Sequence, residues 1–271
     1  MSGKVVLITG ASSGIGKACA EYLAQKGYRV FGTSRSAPRN PEVSPTGLTM
    51  FYMDVNDDRS VQEGVDFVLR QAGRLDAVVN NAGFGIAGSV EDTSIEEAKA
   101  QLETNFFGTL RVCRAALPVM RAQGGGTIVN ISSLGGIIAL PFQGLYSASK
   151  FAVEGLTEAL RMEAQPFGIR VVLVEPGDTR TGFTDRRVRV AASANSVYRP
   201  YFERVIQVVE ADERNGTHPE AVARVVERIL RHPNPAPRYR VGPFVQRLAA
   251  ALKGVLPDRL FLWAISKYYR L

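Results

Sequence analysis

The sequence predicts an α/β fold, a doubly wound parallel sheet of seven strands with helices on both faces. Short apolar runs alternate with helical patterns along the chain, and this alternation is typical of parallel strands joined by right-handed crossovers. The first run ends at a glycine-rich turn and a helical pattern follows, which indicates a strand, a tight turn and a helix. With 271 residues, 45% of them hydrophobic, the chain is long enough to bury one large core.

Seven apolar runs supply the predicted strands. In chain order they are Val5–Ile8, Arg29–Thr33, Thr49–Met53, Asp76–Val79, Thr127–Ile131, Arg170–Val174 and Arg238–Val241. Long helices are predicted around Ser94–Gln123 and Tyr146–Gln165. Three prolines between Arg35 and Leu48 disfavour a helix in that crossover, so a loop or a single turn is expected there.

A glycine-rich turn, T-G-A-S-S-G-I-G, begins at Thr9 directly after the first predicted strand. Gly10 permits the sharp turn, Gly14 lets the backbone approach a pyrophosphate, and Gly16 permits close packing of helix and strand. The helix N-terminus offers N–H donors and a positive dipole end to phosphates. The turn therefore predicts a dinucleotide-binding unit of the Rossmann type. Its further candidate cofactor contacts are Ser12, Ser13 and Ile15.

Tyr146 and Lys150 stand four residues apart in Y-S-A-S-K, so a helix would place them on one face. An ordinary phenol titrates at about 10, too high for efficient proton exchange at pH 7. We expect the ammonium of Lys150 to favour the ionised phenol. Taken alone, the pair has a second interpretation as a tyrosine packed over a lysine stem.

Further motifs follow in order along the chain. They are D-V at Asp54, N-N-A-G at Asn80, T-N-F-F-G around Asn105, Ser133 thirteen residues before Tyr146, and P-G-D-T-R-T from Pro176. With them the chain resembles the short-chain dehydrogenase/reductase family, in its single-domain branch. The stretch P-F-Q-G-L-Y-S-A-S-K-F-A-V-E-G-L is most similar to the 17β-hydroxysteroid and retinol dehydrogenases of that family. The resemblance implies one Rossmann-type catalytic domain over residues 1–242, with a substrate loop at about 178–215.

The resemblance also implies an oxidoreductase that transfers hydride between a nicotinamide and a carbonyl or alcohol group. Ser133 would hold the substrate oxygen, and Tyr146 would exchange its proton. Lys150 would stabilise the tyrosinate and bind the nicotinamide ribose, while Asn105 would hold a water that links Lys150 to solvent. Ser132 is the neighbouring candidate, but the family spacing of thirteen residues favours Ser133.

The end of the second predicted strand, F-G-T-S-R, bears on the choice of cofactor. An acidic residue there would bind a ribose 2′-OH and repel a 2′-phosphate. Ser34 stands in place of the acid and Arg35 follows, with Ser12 as a third phosphate candidate. NADP(H) is therefore favoured over NAD(H). A preference for NADP(H) in turn favours reduction of a carbonyl over oxidation of an alcohol. The alternative is that Arg35 is an ordinary surface arginine.

Other cofactor contacts follow from the resemblance. At the adenosine half they are Asp54, Val55, Asn81, Ala82 and Gly83, and at the nicotinamide half they are Pro176, Gly177, Thr179 and Thr181, with Tyr146 and Lys150. Thr179 and Thr181 are alternatives, because the local spacing is ambiguous. Asn80 has a second interpretation as a strut between strands.

The candidates for lining the substrate pocket beside Ser133 are Phe84, Leu134, Phe142 and Phe183. Since these four are apolar, the leading hypothesis is a hydrophobic carbonyl or alcohol substrate, such as a steroid, a retinoid or a lipid-like compound. A 3-ketoacyl-carrier reductase is the enzymatic alternative. A non-catalytic NADPH-binding sensor or scaffold is the alternative of another class, disfavoured because all four catalytic residues are present.

The last third of the chain carries the excess positive charge. Residues 1–179 hold 16 basic and 18 acidic side chains, whereas residues 180–271 hold 17 and 8. Within it, the extension 243–271 adds two amphipathic segments with Phe261, Trp263, Tyr268 and Tyr269. We interpret the extension as a part of the same domain that caps the substrate cleft or forms a subunit contact. Peripheral attachment to anionic lipid is the alternative.

Several kinds of protein and site are disfavoured. No apolar run approaches the ~20 residues of a membrane-spanning helix, so a cytoplasmic protein is expected. Cys19 and Cys113 lack the spacing of a zinc or redox site, and no metal is expected. Arginines scattered among acids argue against nucleic acid as a partner. The resemblance implies a homodimer through the two long helices, or a homotetramer if the extension leaves a second contact open.

Overall fold

The computed structural model describes residues 3–41 and 47–271. The strands are β1 (Val5–Ile8), β2 (Arg29–Ser34), β3 (Leu48–Tyr52), β4 (Ala77–Asn80), β5 (Ile86–Ala87), β6 (Gly126–Ile131), β7 (Ile169–Pro176), β8 (Val188–Arg189) and β9 (Arg238–Val241). The α-helices are α1 (Gly14–Gln25), α2 (Asp58–Ala72), α3 (Ile95–Leu102), α4 (Gly108–Ala122), α5 (Gly144–Ala164), α6 (Arg199–Arg214), α7 (Pro219–Arg231), α8 (Phe244–Leu252) and α9 (Asp258–Tyr268).

Seven strands form one parallel sheet in the order β3-β2-β1-β4-β6-β7-β9. The direction of winding reverses between β1 and β4, which confirms the predicted doubly wound, seven-stranded sheet. In such sheets the ligand binds at the carboxyl ends of the strands beside this reversal. The short strands β5 and β8 pair separately, and two residues are too few to show any periodicity in the sequence.

Strand β1 shows why the central strands are continuous apolar runs. Val5 and Leu7 belong to a core cluster with residues of α2 and α4, whereas Val6 and Ile8 belong to a second cluster with residues of α1 and α7. All four side chains are buried. A parallel sheet covered by helices on both faces needs apolar side chains on both sides of each central strand.

The crossover between β2 and β3 agrees with the expectation of a loop as far as the structure describes it. From Arg35 to Pro41 the chain forms turns and bends without a helix. The rest of that predicted loop, residues 42–46, lies outside the described residues.

The long helix expected around Ser94–Gln123 is divided into three parts. Ser94 caps α3 through its hydroxyl, and a π-helical turn, Glu103–Phe107, joins α3 to α4. Asn105 lies in this turn. A π turn inserts an extra residue into the helical path and is frequent at functional sites. The sequence pattern predicted one helix because a single π turn is too short to show a period of its own.

After β9 the chain forms α8 and α9, where two amphipathic segments were predicted. Ala250 and Phe261 pack against Leu134 and Ile138 in a small cluster of their own. Within residues 3–41 and 47–271, no helix has both the length and the apolar character that crossing a membrane requires.

Candidate active site

Loops that follow β1, β4, β6 and β7 meet at the carboxyl edge of the sheet and line one cavity of about 1400 Å³. The predicted cofactor contacts that line it are Gly10, Ser12, Ser13, Gly14, Ile15, Ser34, Arg35, Asp54, Val55, Asn81, Ala82, Gly83, Pro176, Gly177, Thr179 and Thr181. Ser133, Tyr146 and Lys150 line the same cavity. Gly16 and Asn105 lie behind its wall. The topology therefore gathers residues that are far apart in the sequence around one space.

The glycine-rich turn brings α1 close to β1. Gly10 has a left-handed φ of +65°, a conformation that strains other residues. A Cβ at Gly16 would come below 3.0 Å from the carbonyl oxygen of Gly10 and the amide of Asn81. Gly14, the first residue of α1, lines the cavity. A helix N-terminus in this position, with its unpaired N–H groups, fits a pyrophosphate.

Thr9 holds the loop after β4 against this turn. Its Oγ1 accepts hydrogen bonds of 2.9 Å from the backbone N–H groups of Asn81 and Ala82. Asn81 Nδ2 in turn donates to Thr9 O at 2.9 Å. Asn80 behaves as a strut, because its Nδ2 donates to Asn130 Oδ1 at 2.8 Å and so joins β4 to β6.

Tyr146 and Lys150 lie one turn apart on α5. Lys150 Nζ donates to Ile131 O at 2.9 Å and lies 5.9 Å from the centroid of the Tyr146 ring. Burial raises the pKa of Tyr146 to about 12, and a hydrogen bond with Ser133 opposes that rise. Burial lowers the pKa of Lys150 from 10.5 to about 8, which the charge of Glu154 partly opposes.

These directions correct the expectation that Lys150 makes the phenol of Tyr146 ionise near neutral pH. The loss of hydration outweighs the lowering by the hydrogen bond with Ser133 and by the charge of Arg187, so the pKa of Tyr146 lies above its ordinary value. At pH 7 the phenol is neutral and carries a proton to donate. Lys150, with a pKa near 8, keeps most of its charge at that pH.

Ser133 is fixed by the turn that follows β6. Its Oγ accepts a hydrogen bond from Gly135 N at 3.0 Å and donates to Pro176 O at 3.4 Å. A Cβ on Gly135 would come within 3.3 Å of both Ser133 Oγ and Tyr146 Cε1. The missing side chain at Gly135 therefore leaves room for the pair of hydroxyls.

Asn105 supports the site from behind. Its Oδ1 accepts from Phe84 N at 3.0 Å, and its Nδ2 donates to Phe84 O and to Ser149 Oγ, both at 3.0 Å. Ser149 Oγ donates to Tyr146 O at 2.7 Å. The side-chain amide thus ties the loop after β4 to the helix of Tyr146. The water relay through Asn105 stays a prediction.

Hydroxyl groups and a guanidinium occupy the end of the cavity beside β2. Ser34 Oγ lies 2.9 Å from Ser36 Oγ, and the exposed Arg35 is next to them in the cavity wall. On the neighbouring loop, Asp54 Oδ1 accepts from Asn56 N at 3.0 Å. No carboxylate stands at the end of β2 itself.

Three of the predicted pocket residues, Phe84, Leu134 and Phe183, line the cavity. The ring of Phe183 lies 5.8 Å from the ring of Tyr146. Phe142 is corrected, because it is not in the cavity wall: its backbone turns with a φ of +58°, and its ring packs 5.7 Å from that of Phe202 on α6. The sequence of such a turn does not show whether the side chain of Phe142 points into the cavity or toward α6.

The helices α8 and α9 and the loop between them supply an apolar wall, of which the sequence analysis predicted no individual residue as a substrate contact. Its members are Ala249, Leu252, Leu256, Phe261, Ala264 and Ile265. Their amphipathic spacing was the available signal. Spacing shows that one face of a helix is apolar, but it does not show what that face contacts.

Carboxylates and amides that sequence reasoning missed line another part of the cavity. Gln246 on α8 donates from Nε2 to Asp178 and accepts from Asp178 N at 2.9 Å. Tyr268 donates to Asp212 Oδ2 at 2.6 Å, and Glu213 is also in the wall. Burial raises the pKa of Asp178 to about 6, and the hydrogen bond from Gln246 opposes the rise. The buried side chain of Gln143 also lines the cavity.

Comparison with known proteins agrees with this geometry. A family model for the short chain dehydrogenases matches residues 4–190. A 3-ketodihydrosphingosine reductase of Bacteroides thetaiotaomicron is 44% identical over 270 residues, which cover 99% of each chain. The 17-beta-hydroxysteroid dehydrogenase type 1 of Homo sapiens is 34% identical over 259 residues, which cover 88% of this chain and 77% of the human protein.

Solved structures resemble the whole chain. A short-chain dehydrogenase from Streptomyces avermitilis, 34% identical, covers 100% of this chain and 98% of its own with a TM-score of 0.78. An alcohol dehydrogenase from Thermococcus sibiricus complexed with 5-hydroxy-NADP is 27% identical, with a TM-score of 0.71 and coverages of 90% and 97%. A short chain dehydrogenase/reductase from Burkholderia phymatum in complex with NAD is 25% identical, with a TM-score of 0.79 and coverages of 97% and 95%.

Proposed function

This chain belongs to the short-chain dehydrogenase/reductase family, and from that premise we propose that it uses NADPH to reduce a ketone on a long-chain, lipid-like substrate. The oxidoreductase chemistry on a carbonyl or alcohol group follows from the family. One observation carries the proposal: Ser133, Tyr146 and Lys150 line the same cavity as the glycine-rich turn and the apolar side chains of the C-terminal extension.

When bound, NADPH supplies the hydride, and the chain's own residues manage the charge and the proton. Reduction develops negative charge on the carbonyl oxygen, which the hydroxyl groups of Ser133 and Tyr146 would stabilise by donating hydrogen bonds. Tyr146 then gives its proton to that oxygen. The charged Lys150 stabilises the phenolate that remains until a proton is restored.

The end of β2 supports the choice of NADPH. An acidic residue there would bind the ribose hydroxyls of NAD and repel a phosphate, but this chain has Ser34 in that position. Arg35, exposed in the wall of the same cavity, offers a guanidinium that suits a phosphate in charge and geometry. Hydroxyl donors of Ser34 and Ser36 stand beside it.

The walls of the cavity favour a lipid with a single long chain. The apolar side chains of Leu256, Phe261 and Ile265 would contact an alkyl chain that leads away from Tyr146. The carboxylates of Asp178 and Asp212 would attract a cationic group near the reacting ketone. A 3-ketosphingoid base has both features, a long chain and an ammonium next to the ketone. The name of the bacterial relative supports the same substrate class.

We further propose a homodimer through α4 and α5, as the family resemblance implies. Phe151 and Met162 on α5 are exposed apolar side chains, which such a contact would cover. Sedimentation equilibrium tests this point, since a monomer at micromolar concentration would contradict it.

The function is tested by measuring the rate at which the protein oxidises the nicotinamide cofactor in the presence of each member of a substrate panel. The panel contains 3-ketodihydrosphingosine, a steroid ketone, retinal and a 3-ketoacyl thioester, each with NADPH and with NADH. We expect the sphingoid ketone with NADPH to give the highest kcat/KM. We expect Tyr146→Phe to lose at least about a hundredfold in turnover, since a general acid contributes on that scale, while its affinity for NADPH stays the same.

The other outcomes each have a meaning. Preference for the 3-ketoacyl thioester would replace the proposed substrate by a carrier-linked one. NADPH binding without oxidation on any substrate would favour the sensor or scaffold. Turnover by Tyr146→Phe within a few-fold of the wild type would contradict the mechanism.

A further inference from the structure

The two C-terminal helices expose apolar side chains that neither the fold nor the reaction explains. Val255 is 76% exposed, Phe244 69% and Trp263 59%. Leu248, Leu260 and Leu262 are also exposed, and we call these six side chains of α8, α9 and the loop between them the tail face. Single exposed apolar residues are ordinary, but a group of six within one short segment marks a contact surface.

Helix α9 is apolar on two sides. Phe261 and Ile265 face the cavity and the small apolar cluster beside it. Leu260, Leu262 and Trp263 are exposed on the other side. An ordinary surface helix directs mainly polar side chains outward. The outer side of α9 instead mixes these three apolar side chains with charged ones, so its apolar side chains are available for a contact.

The charges on the same segment favour lipid as that partner. Residues 243–271 contain five basic side chains, Arg247, Lys253, Arg259, Lys267 and Arg270, and one acidic side chain, Asp258. Within the part of the chain that the structure describes, none of the five forms a salt bridge. Apolar and aromatic side chains among cations without carboxylate partners are typical of helices that lie in the headgroup region of anionic bilayers.

A second copy of the chain fits this surface less well. A two-fold contact places the same patch on both sides, so the five cations would face their own copies with one acid each to offset them. An anionic lipid surface neutralises the same charges.

The cavity opens beside the tail face. Val245 on α8 and Tyr268 on α9 line the cavity and are also exposed. A substrate with a long alkyl chain resides in the bilayer rather than in water, because each buried CH₂ contributes about 0.8 kcal/mol. A cavity that opens at the membrane surface would receive it without a passage through water.

We propose that the tail face docks this protein on the surface of an anionic bilayer, with α8 and α9 lying in the headgroup region beside the opening of the cavity. The inference goes beyond the proposed reaction and is tested without substrate. Failure of the docking test therefore leaves the function open, and failure of the substrate panel leaves the docking open.

The chain carries its own reporter, because Trp263 is its single tryptophan. The test measures its emission and the flotation of the purified full-length protein with vesicles of phosphatidylcholine, alone or mixed with phosphatidylglycerol. We expect a blue shift and flotation with the mixed vesicles, and a partition coefficient more than about tenfold lower without the anionic lipid. Added salt should lower binding to the mixed vesicles.

Three variants separate the contributions. Leu260→Ser with Leu262→Ser removes apolar contact, and Arg259→Glu with Lys267→Glu reverses two charges; each pair should weaken binding more than about tenfold. The control is Val90→Glu, which adds a negative charge at a residue that is 73% exposed and lies beside Gly144 at the start of α5; it should bind as the wild type does. Circular dichroism and NADPH affinity check that each variant is folded.

Two results would overturn the proposal. One is equal recovery of all variants with either kind of vesicle, without a change in Trp263 emission. The other is a blue shift that appears on raising the protein concentration in the absence of lipid, together with a larger species in sedimentation, which would identify a second copy of the chain as the occupant.

Discussion

At the scale of single residues, burial moves the pKa values of Tyr146 and Lys150 away from those of the free side chains, in opposite directions. Removal from water penalises the charged form of both groups, so the pKa of the phenol rises and that of the ammonium falls. The result at pH 7 is a neutral acid beside a base that is still mostly protonated. This arrangement suits the delivery of a proton to a carbonyl oxygen better than its removal from an alcohol.

Arg35 determines the cofactor preference in our proposal. We expect Arg35→Asp to lower kcat/KM for NADPH by roughly ten- to a hundredfold, the loss of one charged hydrogen bond, and to leave kcat/KM for NADH unchanged or higher. Steady-state kinetics with both cofactors measures this. The matched control is Arg39→Asp, which changes the same charge on the same crossover at a residue that stacks on Tyr52 at 4.0 Å. An equal loss in both variants would mean that the effect is long-range electrostatics and would contradict a phosphate contact by Arg35.

At the scale of elements, the turn between β1 and α1 is fixed by packing on both sides. The amide of Asn81 lies against the backbone of the turn, in the space that a side chain at residue 16 would fill. Glycine is therefore required at Gly16 by contact and not by backbone conformation. The start of α1 and the loop after β4 consequently form one rigid cradle.

We expect Gly16→Ala to lower the free energy of unfolding by about 1–3 kcal/mol, because the added Cβ overlaps backbone atoms that cannot move independently. NADPH affinity should fall as well. Urea denaturation and fluorescence titration of NADPH measure the two effects.

Gly254→Ala is the control for that substitution. Gly254 lies in the loop between α8 and α9, is exposed, and has no atom within 4 Å of a Cβ built on it. Alanine there should change the free energy of unfolding by less than about 0.5 kcal/mol, as is usual for surface substitutions. Equal effects of the two substitutions would contradict the packing argument.

At the scale of the whole molecule, the C-terminal extension is attached to the sheet through the loop after β7. Gln246 on α8 makes hydrogen bonds to both the backbone and the side chain of Asp178. The C-terminal helices therefore cover a cavity whose other walls include the glycine-rich turn near the N-terminus. This attachment includes a carboxyl group that burial keeps partly protonated.

The stability of the molecule should depend on pH through Asp178. Its pKa is raised from 3.8 to about 6 in the folded protein, so between these values the folded state holds a proton that the unfolded state has lost. The free energy of unfolding should therefore fall as pH rises through this range, by roughly 2–3 kcal/mol in total. Urea denaturation of the wild type and of Asp178→Asn from pH 4 to 8 gives the difference. Parallel curves for the two proteins would show that Asp178 does not titrate in this way.

The sequence by itself determined the sheet and the family's reaction class, an oxidoreductase acting on a carbonyl or alcohol group. β1 and β9 begin and end where the apolar runs predict, and the other sheet strands differ by at most two residues at either end. Apolar runs and glycines are local signals, because they reflect the burial of a strand and the conformation of a turn. Parallel strands present their carboxyl ends at one edge, so the motifs that follow those strands had to meet.

Only the tertiary structure decided what depends on contacts between distant residues. The direction of Phe142, the wall formed by α8 and α9, the carboxylate of Asp178 in the cavity and the raised pKa of Tyr146 all belong to this group. Each follows from how much water is excluded, and by which side chains, after the two ends of the chain have come together. Periodicity and spacing in the sequence show neither the amount of water excluded nor the side chains that exclude it. Hydration and packing are properties of the folded molecule.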